Sequence, residues 1–87
     1  MTSANMTNVM INFRRYLKRR NYSRHTVKYY LSVLKQYVVW LPVPLEQTTA
    51  NEIGQYIDYL HEKRMGAASI NLYLAIIRVF YSFLRHE

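Results

Sequence analysis

Hydrophobic positions recur at helical spacing in four segments of the chain. Within each segment they follow one another at intervals of three and four, the period of an amphipathic α-helix. The pattern predicts helices over about residues 6–20, 24–40, 49–65 and 68–86. Between the second and third segments, residues 41–48 contain both prolines and have the character of a linker. We therefore expect an all-α fold, with residues 1–87 forming a single domain built as a four-helix bundle.

Short polar motifs mark the expected ends of the helices. Ser23 precedes the second helix, and its hydroxyl can accept a hydrogen bond from a backbone N–H of the first turn. Thr49 and Glu52 have the spacing of a capping box at the start of the third helix. Gly66 follows the third helix at the position where glycine commonly adopts the left-handed conformation. These motifs predict where the helices begin and end.

The fourth predicted helix is apolar on two sides. One stripe comprises Ile70, Tyr73, Leu74, Ile77, Phe80, Tyr81 and Leu84, and a second comprises Leu72, Ile76, Val79 and Phe83. A helix that is apolar on both flanks is buried on more than one side. We therefore expect it to be the central helix, with the second stripe interpreted as core. The alternative is that the second stripe docks on another domain or protomer.

Basic residues are concentrated in the first half of the chain. The formal net charge is +7, and residues 1–45 contain eight of the 12 Lys and Arg but none of the five acids. This clustering favours a protein that binds a polyanion over one whose charge serves solubility alone. The absence of cysteine excludes a disulfide scaffold and a thiolate zinc site. No apolar run approaches the roughly 20 residues of a membrane span, and no signal-peptide pattern opens the chain.

The sequence contains no set of residues typical of catalysis. It has no glycine-rich phosphate loop, no nucleophile elbow and no supported Ser/His/Asp set. Asp58, His61 and Glu62 have a spacing that a metal site can use, but a solvated helix face explains them better. Most of the tyrosines lie on apolar stripes, which is typical of core residues with hydrogen-bonded hydroxyls. We expect no catalytic residue, metal or cofactor in this chain.

The start of the second helix has the features of an anion-binding site. A helix N-terminus presents unpaired N–H groups and about half a positive charge, so cations placed there are locally unfavourable. A nucleic-acid phosphate would meet free amides, hydroxyls and cations at once. The candidate contacts are Ser23, Arg24, His25, Thr26 and Lys28. The alternative is that Ser23 is only a cap and the cations point to water.

The fourth helix begins in a similar way, with Ser69 and Asn71 in its expected first turn. Asparagine can bind adenine through two hydrogen bonds, and Arg78 can bind a guanine or a phosphate. An α-helix fits the major groove of DNA, so two such helices can lie on one stretch of duplex. Two polar helix starts beside a basic surface therefore favour double-stranded DNA as the partner.

The order of these motifs resembles the N-terminal core-binding domain of tyrosine recombinases and phage integrases. Residues 23–30 read Ser-Arg-His-Thr-Val-Lys-Tyr-Tyr and are followed by Leu34, Tyr37 and Trp40-Leu41. They resemble the family signature S-x-H-T-hydrophobic-x-x-Y…L…F…F/W-L. Leu45, Thr48-Thr49, Ile53, Tyr56-Ile57 and Leu60 are similar to the run L…I-T…I…Y-I/L…L. Residues 66–84 are similar to G…T-I-N…L…I/L-R…F-Y…F/Y-L, so the resemblance covers about residues 6–87.

The resemblance implies a SAM-like orthogonal bundle of four helices that forms half of a clamp on duplex DNA. It implies a catalytic domain C-terminal to this chain, which cuts and rejoins strands, and contacts with neighbouring protomers in a recombinase tetramer. In the family the second and fourth helices face the major groove. The implied contacts are His25, Thr26, Lys28, Tyr29, Ala68, Ser69, Asn71 and Leu72. The resemblance also implies a cytoplasmic, nucleoid-associated protein of a bacterium, phage or archaeon.

Three positions depart from the family pattern. Ala68 stands where relatives can have a lysine, and Leu72 stands where a polar base-reading residue can lie. These departures favour backbone and shape contacts over base readout by the fourth helix. Arg24 replaces a frequent proline and adds a cation that can bind phosphate.

The sequence thus predicts a sequence-specific DNA-binding domain of a site-specific recombinase, not itself an enzyme. One alternative is a transcription regulator of the helix-turn-helix type, which the long connection at residues 41–48 fits poorly. Another is a basic helical interaction module whose partner is an acidic protein or an anionic lipid.

Overall fold

The computed structural model describes residues 3–86, with side chains from residue 6 onward. Its helices are α1 (Ser3–Arg19), α2 (Arg24–Trp40), α3 (Ala50–Glu62) and α4 (Ala67–His86). A short 3-10 turn, Leu45–Gln47, lies between α2 and α3. Residues 3–86 contain no strand. The predicted all-α fold with four helices is confirmed.

Helix α4 lies at the centre of the bundle, where it contacts each of the other three helices. Residues from both of its apolar stripes are buried, among them Ile77 and Phe80 from the first stripe and Ile76 and Phe83 from the second. Leu72, at the N-terminal end of the second stripe, is 43% exposed. The interpretation of the second stripe as core is therefore confirmed at Ile76 and Phe83, and it does not extend to Leu72.

The first part of the core is aromatic and joins α1, α2 and α4. The Phe13 ring is fully buried. Its centroid lies 5.2 Å from that of the Phe80 ring, in an edge-to-face arrangement, and 5.2 Å from that of the Phe83 ring. Burial of a side chain of this size contributes roughly 1.5–3 kcal/mol to the free energy of unfolding. Leu45, from the segment that crosses between α2 and α3, is buried in the same cluster. The crossing segment is thereby fixed to the core.

The second part of the core lies where α2, α3 and α4 meet. Tyr37 and Tyr56 are buried there, with ring centroids 5.0 Å apart. The Tyr37 and Tyr81 hydroxyls are 2.8 Å apart, and Tyr81 lies 2.7 Å from the Thr48 hydroxyl. Thr48 in turn donates to the Leu45 carbonyl at 2.7 Å. Tyr37 and Tyr81 thus have the hydrogen-bonded hydroxyls expected of tyrosines on apolar stripes.

The two predicted N-caps are confirmed. The Ser23 side chain accepts a hydrogen bond from the Thr26 N–H at 3.2 Å, ahead of α2. Thr49 and Glu52 form a capping box, in which the Thr49 N–H donates to Glu52 Oε1 at 2.6 Å. Hydrogen bonds from the Thr49 side chain and backbone lower the pKa of Glu52. Both caps join residues three positions apart, so local sequence was sufficient to predict them.

The predicted role of Gly66 is wrong. The left-handed residue after α3 is Arg64, with φ of 61°, and neither glycine has a positive φ. Helix α3 ends at Glu62, because the Met65 N–H turns back to bond the Leu60 carbonyl at 3.2 Å and the Met65 side chain packs on the second core. Gly66 instead directly precedes α4, and its carbonyl accepts the first hydrogen bond of that helix from the Ile70 N–H at 3.0 Å.

Among residues 3–86, α4 is the one helix long and apolar enough, by length and composition, to cross a membrane. The central helix of a soluble bundle meets the same criteria. Five of its side chains are buried among the other helices, namely Ile70, Ile76, Ile77, Phe80 and Phe83. Packing inside the bundle therefore accounts for these five apolar positions.

Candidate nucleic-acid interface

The N-terminus of α2 is open at the protein surface. Ser23 has an extended backbone, with φ of −64° and ψ of 160°, and its hydroxyl donates to the Thr26 hydroxyl at 2.9 Å. The first helical hydrogen bond runs from the Val27 N–H to the Ser23 carbonyl at 2.9 Å. The N–H groups of Arg24 and His25 precede it and have no intrahelical partner. An anion can therefore approach them from solvent.

The side chains of this first part of α2 are largely exposed. Arg24, His25, Lys28 and Tyr29 are all exposed, and Tyr29 is 42% exposed. Thr26 is half-buried, and its hydroxyl accepts a hydrogen bond from the Ser23 hydroxyl. Apart from the half-buried Thr26, the predicted residues of α2 are thus exposed near the start of the helix.

Four cations surround a groove between α1 and α2, which we call the basic groove. Arg14 and Lys18 come from α1 and Arg24 and Lys28 from α2, and the groove has a volume of about 390 Å³. Its apolar lining is completed by Tyr22, Val27 and Leu31. No acidic residue precedes Glu46 in the chain, so neither of the two helices can neutralise these charges. The groove is a site of concentrated positive charge beside the start of α2.

A tight turn brings the two pairs of cations together. Asn21 adopts φ of 65°, and the Tyr22 N–H bonds back to the Leu17 carbonyl at 3.2 Å. This Schellman arrangement ends α1 and reverses the chain within a few residues. The Tyr22 ring then packs edge-on against Tyr30 of α2 at 5.3 Å. The end of α1 is thereby held beside the beginning of α2.

Arg14 and Lys18 were not among the site residues predicted from the sequence. Their spacing of four residues could have indicated a shared role, because it places both side chains on one face of α1. Arg24 and Lys28 have the same spacing on α2. Which face of α1 lies against α2 depends on packing, and the structure shows that Arg14 and Lys18 line the groove whereas Arg15 and Arg19 do not.

The candidate residues of α4 lie on more than one face of that helix, and Arg78 lines a cavity separate from the basic groove. Because α4 begins at Ala67, Ser69 is in its first turn and Asn71 starts the second. Both are exposed, but positions two apart on a helix point in nearly opposite directions. Arg78 lines a different cavity, of about 650 Å³, together with Thr48, Thr49 and Arg85. This cavity shares no lining residue with the basic groove.

The acidic residues do not assemble into a metal site. Within the described part of the chain, no three or more His, Cys, Asp or Glu side chains lie close enough to hold a metal ion. Asp58, His61 and Glu62 are each exposed on or at the end of α3. The four cations of the basic groove make it the candidate functional site that we consider among residues 6–86.

Comparison with known proteins assigns the chain to a family. The family model described as the phage integrase N-terminal SAM-like domain matches residues 10–87. The tyrosine recombinase XerD of Chlorobaculum tepidum is 37% identical over 71 residues, which cover 78% of this chain and 23% of that relative. This chain thus corresponds to less than a quarter of that relative's length, and no solved structure matches it. The chain belongs to the family of N-terminal SAM-like domains of phage integrases and tyrosine recombinases.

Proposed function

We propose that this chain is the DNA core-binding domain of a site-specific tyrosine recombinase. The observation that carries the proposal is the basic groove at the N-terminus of α2, in a member of this family. Duplex DNA presents a regular array of phosphates, and neutralising them with Lys and Arg supplies most of the affinity of such proteins. The exposed start of α2 supplies cations, free N–H groups and a hydroxyl for the same phosphates.

The proposed contact at α2 uses each group for a separate task. The N–H groups of Arg24 and His25 donate hydrogen bonds to one phosphate at the helix end, and the Ser23 hydroxyl joins them by exchanging its hydrogen bond to the Thr26 hydroxyl for one to the phosphate. Lys28, one turn further along, neutralises a neighbouring phosphate. Tyr29 and Thr26 complete the surface on the side that enters the major groove. An anion here also offsets the unfavourable position of cations at the positive end of the helix dipole.

Helix α4 supplies the second proposed contact. Ser69 and Asn71 are exposed near its start, and Leu72 beside them is an exposed apolar residue. This composition favours contact with the backbone and with the shape of the groove over hydrogen bonds to base edges. Arg78 is proposed as a further phosphate contact, separate from the α2 surface because its cavity lies elsewhere.

The parent protein is proposed to be a recombinase with a further domain. Since this chain covers 23% of the matched recombinase, the strand-cutting residues are expected in a C-terminal domain that completes the clamp on DNA. Neighbouring protomers on paired DNA sites are the other expected partners, and the cytoplasm is the expected location.

The test is the affinity of the 87-residue chain for a fluorescent duplex at several salt concentrations. The salt slope is the slope of the logarithm of the binding constant against the logarithm of the salt concentration. We expect the double variant Arg24→Ala/Lys28→Ala to bind more weakly and to have a salt slope smaller in magnitude by about 2, one for each lost phosphate contact. The control Arg19→Ala/Lys63→Ala removes the same charge from exposed positions outside the groove. If the two double variants changed duplex affinity and the salt slope equally, the contact would not be at α2.

The same measurement separates the alternative functions. Heparin and vesicles of anionic lipid serve as competitors of the duplex at matched charge concentration. A core-binding domain prefers the duplex to both. An interaction module for acidic partners or membranes binds heparin or vesicles at least as tightly, and that result would contradict the proposal.

A further inference from the structure

We infer that α1 is a DNA-contacting helix, and that Arg14 and Lys18 bind the phosphate backbone beside the phosphates bound at α2. The inference rests on the proposed function and adds a third helix to the interface. The family resemblance implies contacts from the second and fourth helices, so these α1 residues are assigned by the geometry of the groove.

The first observation is that cations of α1 and α2 line the same groove. Arg14 and Lys18 are one helical turn apart, as are Arg24 and Lys28 on the facing helix. A spacing of four residues advances about 6 Å along a helix axis. Charges along one DNA strand advance about 3.4 Å along the duplex axis, so each pair of cations can reach two nearby phosphates. The groove therefore has the dimensions to follow a short length of sugar–phosphate backbone.

The second observation is the distribution of charge on α1. Arg14 and Lys18 face the groove, whereas Arg15 and Arg19 are exposed but do not line it. At the end of the helix, the Arg20 guanidinium lies over the Tyr16 ring, 4.7 Å from its centroid. The cations of α1 thus divide into a pair directed at the groove and others directed elsewhere. A charge that served solubility alone would not require this division.

The third observation is that the four groove cations lie close together without an acid from their own helices. Like charges in one groove repel one another, and an anion in the groove removes that repulsion. A phosphate backbone matches the groove better than an isolated carboxylate does, because it presents several charges in a row. Contacts of this kind bind all DNA sequences alike and fix the position of α2 on the duplex.

The experiment compares two double variants that remove the same charge from the same helix. Arg14→Ala/Lys18→Ala removes the groove pair, and Arg15→Ala/Arg19→Ala is the matched control. Duplex affinity is measured by fluorescence anisotropy across a salt series, and far-UV circular dichroism checks that each variant is helical. All four side chains are exposed, so both variants are expected to fold.

We expect the groove variant to lower the magnitude of the salt slope by about 2 and to weaken binding equally for unrelated duplex sequences. The control is expected to leave the slope nearly unchanged. The conservative variant Arg14→Lys/Lys18→Arg keeps both charges and is expected to retain the slope of the original chain.

The possible failures are distinguishable. If the groove variant and its control have the same slope, while Arg24→Ala/Lys28→Ala still lowers it, the α1 inference is wrong and the proposed function stands. If the original chain does not bind duplex even in dilute buffer, the proposed function is wrong, and the α1 inference is overturned with it.

Discussion

Buried tyrosine hydroxyls make the stability of this domain sensitive to alkaline pH. Burial raises the pKa of Tyr56 to about 12. Burial also raises the pKa of Tyr37, and its hydrogen bond to Tyr81 adds to the effect. In an unfolded chain tyrosine ionises near pH 10. The neutral hydroxyls therefore favour the fold fully below about pH 10, and this contribution is lost as pH rises through the folded pKa values.

We predict that Tyr56→Phe reduces the loss of stability between about pH 10 and 12, because the variant has no hydroxyl to ionise on unfolding. The measurement is the urea midpoint of unfolding in this pH range and near neutral pH. Tyr37→Phe serves as the comparison, since it also breaks the hydrogen bond to Tyr81 and should lower stability by about 1 kcal/mol at neutral pH. The prediction would be contradicted if Tyr56→Phe lost as much stability between about pH 10 and 12 as the original chain does.

Core positions were predictable from apolar spacing where one face of a helix is buried. Val33 of α2 is fully buried. It lies off the stripe that apolar spacing predicts for this helix, which comprises Val27, Tyr30, Leu31, Leu34, Tyr37, Val38 and Leu41. Helix α2 packs against both α1 and α4, so its buried face is wider than a single stripe. The width of a buried face depends on how many neighbours a helix has, and a single segment of sequence does not contain that information.

At the scale of the helices, the starts of α2 and α3 were easier to predict than the end of α3. The caps at Ser23 and Thr49 depend on contacts within three residues. The end of α3 depends on burial of Met65 against the second core, which is a tertiary contact. Packing therefore placed an arginine, and not the nearby Gly66, in the left-handed conformation.

We predict that Arg64→Gly stabilises the domain by up to about 1 kcal/mol. The left-handed conformation is unfavourable for a residue with a Cβ by roughly 1–2 kcal/mol, and the greater flexibility of glycine in the unfolded chain offsets part of the gain. Asn21→Gly, at the equivalent position after α1, should give a smaller gain because asparagine tolerates this conformation. Chemical unfolding measures both. Destabilisation by Arg64→Gly would mean that its side chain makes a larger contribution than its backbone strain.

The cap of α2 allows stability and DNA binding to be separated at one residue. Aspartate is as good an N-cap as serine and favours the positive end of the helix dipole, so Ser23→Asp should retain or raise the melting temperature. The same carboxylate would repel a phosphate, so duplex affinity should fall. Ser23→Ala should lower stability by about 1 kcal/mol with less effect on affinity. If Ser23→Asp binds duplex as well as the original chain does, the phosphate is not at this helix end.

At the scale of the whole molecule, the sequence predicted the α2 half of the basic groove and missed the α1 half. The features of α2 are local, because a cap, cations and a helix start are adjacent in the chain. The contribution of Arg14 and Lys18 requires the turn at Asn21 and the packing of Tyr22 on Tyr30. The separation of Arg78 from this groove likewise follows from the packing of α4 beside the crossing segment.

Salt dependence provides a test of whether the groove or the total charge governs DNA binding. Each neutralised phosphate contributes about 0.9 to the magnitude of the slope, so the four groove cations give a slope of about −3.6. Raising the salt from about 50 to 200 mM would then weaken binding about 150-fold. If the whole net charge of +7 acted without regard to position, the slope would be about −6.

Two quadruple variants of equal net charge separate the effect of where the cations lie from the effect of the total charge. The first replaces Arg14, Lys18, Arg24 and Lys28 with alanine, and the second replaces Arg15, Arg19, Arg20 and Lys63, which line neither the groove nor the cavity at Arg78. Because Lys and Arg each carry one charge, both variants lose the same charge, and only the second retains the groove. We predict a slope shallower than about −1 for the first, which keeps only the proposed contact at Arg78, and of about −3.6 or steeper for the second, since counterions are released where phosphates are bound. Equal slopes in the two variants would mean that charge anywhere on the surface attracts DNA and that the groove is not the binding site.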